Sequence, residues 1–206
     1  MGFTGGVELF ISWHTWEQAE PGLRRLLPGP DGNATADAVA RAVAFALRFH
    51  GEQRRPTGAP YAEHLLEALE FLVRGAGVSD PGVLCAAVLH DVVEDTPCTI
   101  GDVRAAFGDR VAELVAWVTK PDPVEGEDKK AAKEAYLRGL AGAPDDAIAV
   151  KLADHGSNVQ TLRNLAPPKQ RDYDAQTVRY IMPLAASRAW WAVWYASWQE
   201  AHRDLA

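Results

Sequence analysis

His90-Asp91-Val92-Val93-Glu94-Asp95-Thr96 places one imidazole and three carboxylates within seven residues. Residues four apart on an α-helix share a face, so we expect Glu94 beside His90. By the same spacing, Asp95 should lie beside Asp91. Burying so many acids without a cation is costly. The stretch therefore predicts one wall of a cleft that holds a divalent metal.

Two further residues can complete a metal site with the His90-Asp91 pair. His64 follows the stretch Gly58-Ala59-Pro60-Tyr61, and Asp154 ends the stretch Val150-Lys151-Leu152-Ala153-Asp154. Two imidazoles and two carboxylates form a mixed nitrogen and oxygen site. Such a site suits Mn²⁺, Fe²⁺, Zn²⁺ or Mg²⁺, and the ligand types alone do not choose among these metals.

The sequence around this stretch has a helical pattern. Thr35 is predicted to cap a helix over residues 36–50, in which apolar residues recur at helical spacing. A long helical segment over about residues 170–204 is predicted to bend at Pro183. No sustained alternation of apolar and polar residues predicts a strand. The fold class is therefore predicted to be all-α, a helical bundle.

The chain length of 206 residues fits a single domain. We predict that residues 35–206 form this domain. Residues 1–34 contain several prolines and glycines and are predicted to be an irregular N-terminal extension that packs on it. In the last segment Trp190, Trp194 and Trp198 recur every four residues, a stripe that usually belongs to a core. A homodimer through this tryptophan-rich helix is the alternative interpretation.

Charge and composition argue against several classes of protein. The 21 basic and 28 acidic residues give a net charge of −7, which disfavours a nucleic-acid binder or a membrane-surface binder. No apolar run reaches the roughly 18 residues of a membrane span. Residues Met1–Trp13 lack the basic first segment of an export signal, and Cys85 and Cys98 are too few for a disulfide framework. We therefore expect a cytoplasmic protein that acts on a small molecule.

The residues described above give the sequence a resemblance to a known family. His64, His90-Asp91 and Asp154 match the H…HD…D signature of HD-domain metal-dependent phosphohydrolases. The resemblance is closer to the hydrolase half of the RelA/SpoT proteins and to the stand-alone small alarmone hydrolases. Five stretches carry it, in the family's order, over roughly residues 36–190. They are His50-Gly51-Glu52-Gln53-Arg54-Arg55, Gly58–His64, His90–Thr96, Phe107-Gly108 with Val111–Val115, and Lys151–Asp154 with Asn158.

The resemblance implies a fold and an activity. The fold would be the HD-domain helical bundle, with His64, His90, Asp91 and Asp154 as ligands of one metal ion, usually Mn²⁺ in this family. The activity would be hydrolysis of guanosine 3′,5′-bis-diphosphate (ppGpp or pppGpp) at the 3′ position, with release of pyrophosphate. A synthetase half would need a further domain after residue 190, so we expect a protein that only degrades the alarmone.

The resemblance also implies roles for individual side chains. Glu94 and Asp95 match the family's catalytic acidic pair and would orient or deprotonate the attacking water and help to deliver a proton. Some candidate substrate-binding residues match family positions, and others only offer a charge or a polar group. These candidates are Arg55, Tyr61, Lys151, Asn158, Arg54 and Arg179, with Lys120 and Lys129 as further basic groups. The lysines at 129, 130 and 133 are interpreted mainly as a solvated helix face.

The sequence departs from the family's pattern at three places. Pro56 stands where several members have a second basic residue, and Gln160 replaces a frequent arginine. The segment His155-Gly156-Ser157 stands where relatives usually have a basic residue and a bulkier pair. These changes spare the expected ligands but reduce the number of basic residues around the substrate.

Two alternatives therefore stay open. One is an HD phosphohydrolase that acts on another nucleotide, such as a ppApp-type alarmone, the 2′-phosphate of NADPH or a nucleoside monophosphate. The other is a non-catalytic, metal-stabilised protein that binds a nucleotide or a partner. The paired carboxylates of Glu94 and Asp95 argue against the second alternative, because a pure binder does not need them.

Overall fold

Helices supply almost all of the regular structure in the computed structural model, which describes residues 3, 4, 7–27, 29–121, 126 and 128–205. Within these ranges the one sheet is an antiparallel pair of two-residue strands, β1 (Phe3–Thr4) and β2 (Val7–Glu8). The predicted all-α class is confirmed. The α-helices are α1 (Trp16–Leu26), α2 (Gly29–His50), α3 (Tyr61–Glu70), α4 (Pro81–Leu89), α5 (Val92–Asp95), α6 (Ile100–Phe107), α7 (Asp109–Val118), α8 (Lys129–Gly139), α9 (Asp145–Val159), α10 (Pro167–Gln176), α11 (Met182–Ala185) and α12 (Ala189–Ala201). Phe71–Gly75 and Thr177–Ile181 are π-helical, and Leu140–Gly142, Leu162–Asn164 and Arg203–Leu205 are 3₁₀-helical.

Helix α4 lies at the centre of the bundle. Every residue from Val83 to Leu89 is buried, because the helix is apolar around its whole circumference. The Asp80 side chain caps its first turn by accepting a hydrogen bond from the Val83 N–H at 3.0 Å. Helices α2, α3, α7 and α9 pack around it. The residue that follows Leu89 is therefore held at the end of the most enclosed helix in the fold.

Helices α3 and α9 complete a three-helix unit with α4. Each of the two packs against α4, and they also pack against each other. His64 lies on α3 and Asp154 lies on α9, and both side chains are buried. The fold thus directs residues from three separate parts of the sequence toward one point.

The N-terminal part differs from the irregular extension that the sequence predicts. Helix α1 covers residues 16–26, and α2 begins at Gly29, so that Thr35 is buried inside a helix and does not cap one. Pro30 lies in the first turn of α2, where backbone N–H groups have no acceptor within the helix and a proline is tolerated. Residues 1, 2, 5, 6 and 28 of the predicted extension lie outside the described residues.

The C-terminal segment consists of several short helical elements. The π-helical segment Thr177–Ile181 runs directly into α11, which ends at Ala185, and α12 begins at Ala189. Pro183 lies within this continuous helical stretch and cannot donate a backbone hydrogen bond there, and the bend expected at this residue stays a prediction. Among the described residues, no helix combines the length and the apolar character needed to cross a membrane.

The tryptophan stripe of α12 faces the protein's own core. Trp194 and Trp198 of this stripe are buried, and Trp190 is partly buried and packs against the core. The Trp194 Nε1–H donates to the Glu8 carbonyl at 2.9 Å, and the Trp198 Nε1–H donates to the Val159 carbonyl at 3.0 Å. The helix therefore fastens β2 and α9 to the bundle, as the core interpretation of the stripe requires.

A close contact between Gly156 and Phe71 lets α9 approach the π-helical segment. A Cβ atom on Gly156 would lie 2.9 Å from Cζ and 3.0 Å from Cε1 of the Phe71 ring. The ring cannot move easily, because Phe10, Trp191 and Trp194 pack against it. Gly156 is therefore needed at this position in α9, two residues from Asp154.

We predict that Gly156→Ala destabilises the protein by about 1–3 kcal/mol, because the added methyl group overpacks this contact. In a chain of this size the change lowers Tm by roughly 2–10 °C in a thermal unfolding experiment. Gly139→Ala is the matched control, since Gly139 ends α8 and a Cβ there meets no atom within 4 Å. Equal Tm values for the two variants would contradict the packing argument.

Candidate metal centre

The structure brings the four predicted ligands together. One ligand atom from each of His64, His90, Asp91 and Asp154 lies within 4.8 Å of all the others. The Asp91 Oδ2 atom is 3.2 Å from His64 Nε2 and 3.0 Å from His90 Nε2. The Asp154 Oδ1 atom is 3.4 Å and 3.5 Å from the same two nitrogens. The four side chains thus form a mixed nitrogen and oxygen cluster that could hold a divalent metal.

A break in the helix allows His90 and Asp91 to reach the same point. Helix α4 ends at Leu89 and α5 begins at Val92, so the two residues form a turn. On a continuous helix, adjacent side chains would diverge by about 100°. Asp91 has φ −98° and ψ −4°, which departs from regular helical geometry. The continuous helix assumed from the sequence is therefore wrong at this position, and the break serves the site.

Hydrogen bonds fix the ring orientation of both histidines. The His90 Nδ1–H donates to the Ala87 carbonyl at 2.7 Å. The His64 Nδ1 atom lies 2.7 Å from Ser157 Oγ. In both rings the Nε2 atom therefore points into the cluster, and the two Nε2 atoms are 3.0 Å apart. Two nitrogen lone pairs and two carboxylates facing one another at these distances require a positive charge between them, so the donor set fits a divalent cation.

The bond to His64 is the end of a longer hydrogen-bonded chain. The Ser157 hydroxyl donates to Glu67, so its oxygen accepts the proton of His64 Nδ1. Glu67 is held in turn by Arg55, whose Nη1 donates to Oε2 at 2.8 Å. The charged pair of Arg55 and Glu67 is buried beneath α3. We call this chain, Arg55–Glu67–Ser157–His64, the His64 support; it sets the tautomer that leaves Nε2 free for a metal.

The electrostatics of the cluster also call for a cation. Burial alone would lower the pKa of His90, but the carboxylates of Asp91 and Asp154 outweigh it and raise the pKa well above the ordinary value. Burial alone would raise the pKa of Asp154, but Lys151 and His90 hold it well below the ordinary value. The carboxylates thus stay ionised only with positive charge beside them. Metal ligands must be deprotonated histidines and carboxylates, so metal binding releases the protons that otherwise supply this charge.

Three of the four cluster residues, His64, Asp91 and Asp154, line a cavity of about 260 Å³. Asp95 and Tyr61 also line this cavity, and the Tyr61 hydroxyl lies 2.5 Å from Asp91 Oδ2 and 2.7 Å from Asp95 Oδ2. Burial and these two carboxylates raise the pKa of Tyr61, so its hydroxyl stays protonated and donates. The ring of Tyr61 stacks on His50 with centroids 4.7 Å apart. Tyr61 therefore links Asp91 of the cluster to Asp95 at the cavity wall.

Glu94 lines the cavity but is turned toward Lys120. Its carboxylate accepts a hydrogen bond from the Lys120 backbone N–H at 2.9 Å and pairs with the Lys120 ammonium group. The expectation that Glu94 lies beside His90 assumed one continuous helix. The break at residues 90–91 changes the phase of α5 and directs Glu94 to the start of the loop after α7.

Three of the six predicted substrate-binding residues line the cavity. They are Tyr61, Lys151 and Asn158. The Lys151 ammonium group is 2.7 Å from Asp154 Oδ2, and the Asn158 Nδ2–H donates to Asp154 Oδ1 at 2.9 Å. Both side chains therefore neutralise or orient a cluster carboxylate while facing the cavity.

The other three predicted substrate-binding residues do not line the cavity. Arg54 is exposed and donates to the Gly58 carbonyl in its own loop. Arg55 is engaged in the His64 support through its ion pair with Glu67. Arg179 is exposed on the π-helical segment. Arg54 is thus kept from the cavity by a hydrogen bond within its loop, and Arg55 by its ion pair with Glu67. Arg179 lies on the outer face.

Sequence reasoning missed several side chains that line the cavity, among them two on α8 and two on α10. These four are Lys133 and Tyr136 on α8, and Tyr173 and Gln176 on α10. Lys133 is exposed, as the solvated-face interpretation requires, but it stands where solvent meets the cavity. A signal was present in the sequence, since Lys133 lies four residues before Leu137, which is buried, and so shares its face.

Comparison with known proteins gives consistent matches. A family model described as an HD domain matches residues 42–191. The guanosine-3′,5′-bis(diphosphate) 3′-pyrophosphohydrolase of Aquifex aeolicus is 35% identical over 161 residues, which cover 77% of this chain and 22% of that protein. The bifunctional (p)ppGpp synthase/hydrolase SpoT of Escherichia coli is 39% identical over 150 residues, 71% of this chain and 21% of that protein. The chain spans about a fifth of the length of these relatives.

Two solved structures are also similar. One, described as a metazoan ortholog of SpoT that hydrolyses ppGpp, superposes with a TM-score of 0.70 and 27% identity, covering 86% of this chain and 96% of that one. A protein of Listeria monocytogenes superposes with a TM-score of 0.53 and 23% identity, covering 68% of this chain and 99% of that one. The second match is a likeness of fold alone.

We predict that Asp91→Asn removes the response of the protein to divalent metal. Mn²⁺ at about 100 times its Kd stabilises a protein that binds it only when folded by about 2.7 kcal/mol, or roughly 5–10 °C in Tm at this chain length. The variant should show less than about a fifth of that shift, whereas Asp109→Asn, which changes an exposed carboxylate, should respond like the wild type. A full metal response in Asp91→Asn would rule out the cluster as the metal site.

We also predict that Ser157→Ala weakens Mn²⁺ binding by about 10- to 100-fold, because His64 loses the acceptor that fixes its tautomer. Isothermal titration calorimetry of the metal-free protein with Mn²⁺ measures the change. Ser187→Ala, at an exposed position after α11, is the matched control. Equal affinities in both variants would show that the His64 support does not act on the metal.

Proposed function

The chain belongs to the HD domain family, and we propose that it hydrolyses guanosine 3′,5′-bis-diphosphate at the 3′ position and releases pyrophosphate. The observation that carries this proposal is one cavity lined both by residues of the metal-binding cluster and by three lysines, Lys120, Lys133 and Lys151. A cation and several ammonium groups in one small cavity suit a substrate with several phosphate groups. The sequence relatives and the metazoan SpoT ortholog support the identity of this substrate.

His64, His90, Asp91 and Asp154 would hold one divalent metal ion, and we propose Mn²⁺, the usual metal of the family that the sequence resembles. When bound, such an ion polarises a phosphoryl oxygen and lowers the pKa of water. The protein prepares the four ligands through the His64 support, through the bond from His90 to the Ala87 carbonyl, and through Lys151 and Asn158 at Asp154.

The proposed reaction is a displacement at the phosphorus atom attached to the 3′ oxygen. The oxygen of a water molecule forms a bond to this phosphorus, and the bond from the phosphorus to the 3′ oxygen breaks. The water loses a proton and the 3′ oxygen gains one, so the products are pyrophosphate and a guanosine 5′-diphosphate with a free 3′ hydroxyl. The overall reaction consumes one water molecule.

Asp95 is proposed to accept the proton of the attacking water. It lies on the cavity wall, and Tyr61 ties it to Asp91 of the cluster. Glu94, with Lys120, would orient the water or the phosphate from the adjacent position. Side chains that move a proton in this way contribute about 10²- to 10⁴-fold to the rate.

One observation favours the alternative of a different nucleotide substrate. Arg55 is engaged with Glu67, and Gln160 forms two hydrogen bonds with the backbone of Phe10, so neither side chain faces the cavity as a free basic group. The bond from Gln160 instead anchors the N-terminal segment. A cavity with fewer arginines than the family pattern implies can accept other phosphate esters, such as the adenosine analogue or the 2′-phosphate of NADPH.

The remaining proposals concern location and assembly. We propose a cytoplasmic protein whose partner is a small nucleotide, with no nucleic acid or membrane partner. A homodimer through α12 stays a prediction. The tryptophans of this helix are largely engaged within the chain, whereas Val193 is 68% exposed and would have to contribute to such an interface.

We predict that the purified protein with Mn²⁺ converts ppGpp into GDP and pyrophosphate, and that Asp95→Asn lowers kcat by about 10²- to 10⁴-fold. Mn²⁺ binding should persist in this variant, since Asp95 lies outside the four-ligand cluster. Asp109→Asn is the control for the loss of a surface carboxylate. Product formation is followed by ion-exchange chromatography.

The same assay separates the alternatives. The substrates are ppGpp, its adenosine analogue, NADPH and deoxynucleoside monophosphates, each with Mn²⁺. Turnover of NADPH or monophosphates without turnover of ppGpp would replace the alarmone assignment. Binding of nucleotides without any turnover would favour the non-catalytic alternative.

A further inference from the structure

The three lysines at the cavity are not equivalent. Lys120 pairs with Glu94, and Lys151 pairs with Asp154. In the part of the chain that the structure describes, Lys133 forms no ion pair. Its ammonium group instead lies 5.8 Å from the centre of the Tyr173 ring on α10. Lys133 is therefore the cavity lysine whose charge the protein leaves available to a ligand.

The surroundings of Lys133 are electrostatically unfavourable without an anion. Partial burial among the cavity walls lowers its pKa, and the ammonium groups of Lys120 and Lys151 lower it further. Asp172 and Glu94 act in the opposite direction as weaker contributors. An anion placed among the three lysines would relieve the repulsion between them.

Lys133 also differs from the other two cavity lysines in the groups that it contacts. Lys151 touches a cluster carboxylate directly, and Lys120 touches Glu94 beside the proposed base. Lys133 is exposed at the opening, on α8. The cavity of about 260 Å³ is smaller than the roughly 300–1,000 Å³ that ligand pockets occupy, so part of a nucleotide with two diphosphate groups must extend past the opening.

We propose that Lys133 is a specificity-determining residue that binds the non-reacting 5′-diphosphate of the substrate while the 3′-diphosphate lies at the metal centre. This inference rests on the proposed function. Lys133 holds the 5′ phosphates as they leave the cavity, and Tyr173 keeps the ammonium group beside the opening by a cation–π contact. The site thereby selects nucleotides that carry phosphate groups at both ends.

Steady-state kinetics of the Mn²⁺-loaded 206-residue chain test this role. The substrates are ppGpp and guanosine 3′-diphosphate, which lacks the 5′ phosphates. Lys133→Met should raise KM for ppGpp about tenfold, the loss of one charge-assisted contact, with kcat changed less than about twofold. For guanosine 3′-diphosphate its KM should change less than about twofold. Lys133→Arg should retain most of the affinity, and Lys130→Met, on the exposed face of α8, should match the wild type.

Two outcomes would overturn the inference. Wild-type kinetics in Lys133→Met would show that the side chain does not contact substrate. An equal rise of KM for both substrates would show that it binds the 3′ group or the base and not the 5′ phosphates.

A binding experiment keeps this inference distinct from the proposed function. Isothermal titration calorimetry with GDP, which carries the 5′-diphosphate and needs no turnover, is performed on the wild type, Lys133→Met and Lys130→Met. About tenfold weaker binding in Lys133→Met alone supports the 5′-phosphate site even if the wild type fails to hydrolyse ppGpp. Equal GDP affinities in all three proteins overturn it even if the wild type hydrolyses ppGpp.

Discussion

The structure depends on the cost of enclosing two carboxylates and two imidazoles at the meeting point of three helices. The carboxylate oxygens of Asp91 and Asp154 lie 3.0–3.5 Å from the Nε2 atoms of His64 and His90, in a largely buried site. Ionised groups in such a place need a positive charge among them. Protons on the histidines supply it in part, and a divalent cation supplies it without protonating the ligands. The packing of α3, α4 and α9 therefore commits the protein to binding a cation.

The apolar surfaces and close contacts of the helices determine this arrangement. Helix α4 is apolar on all sides and must be central, so the residues after its end enter the interior whatever their chemistry. His90 and Asp91 are those residues, and the break between α4 and α5 turns both inward. Gly156 allows α9 to approach the Phe71 ring, which sets the depth at which Asp154 stands. The same packing contacts therefore determine both the fold and the positions of the ligands.

The sequence predicts the cluster well and its surroundings less well. His64, His90-Asp91 and Asp154 occur in short local patterns that survive small errors in helix boundaries. The orientation of Arg55 depends on Glu67 and Ser157, residues 12 and 102 positions away, so no local pattern reveals it. The pairing of Glu94 with Lys120, 26 positions away, likewise lies beyond what spacing along one helix can predict. Helix α1 was missed because Pro21 and Gly22 count against a helix, although both lie inside this one.

The charges around the cavity tie metal binding to substrate binding. With both histidines neutral, four carboxylates face three ammonium groups there, and a divalent cation reverses the resulting net negative charge. The charged groups are Asp91, Glu94, Asp95 and Asp154 against Lys120, Lys133 and Lys151. A polyphosphate would be repelled by the cavity without the cation and attracted by the cavity that contains it. Coupling between two ligands is reciprocal, so a bound polyphosphate would also tighten the hold on the metal. A cavity built in this way needs few arginines, because the cation reverses the sign of its charge.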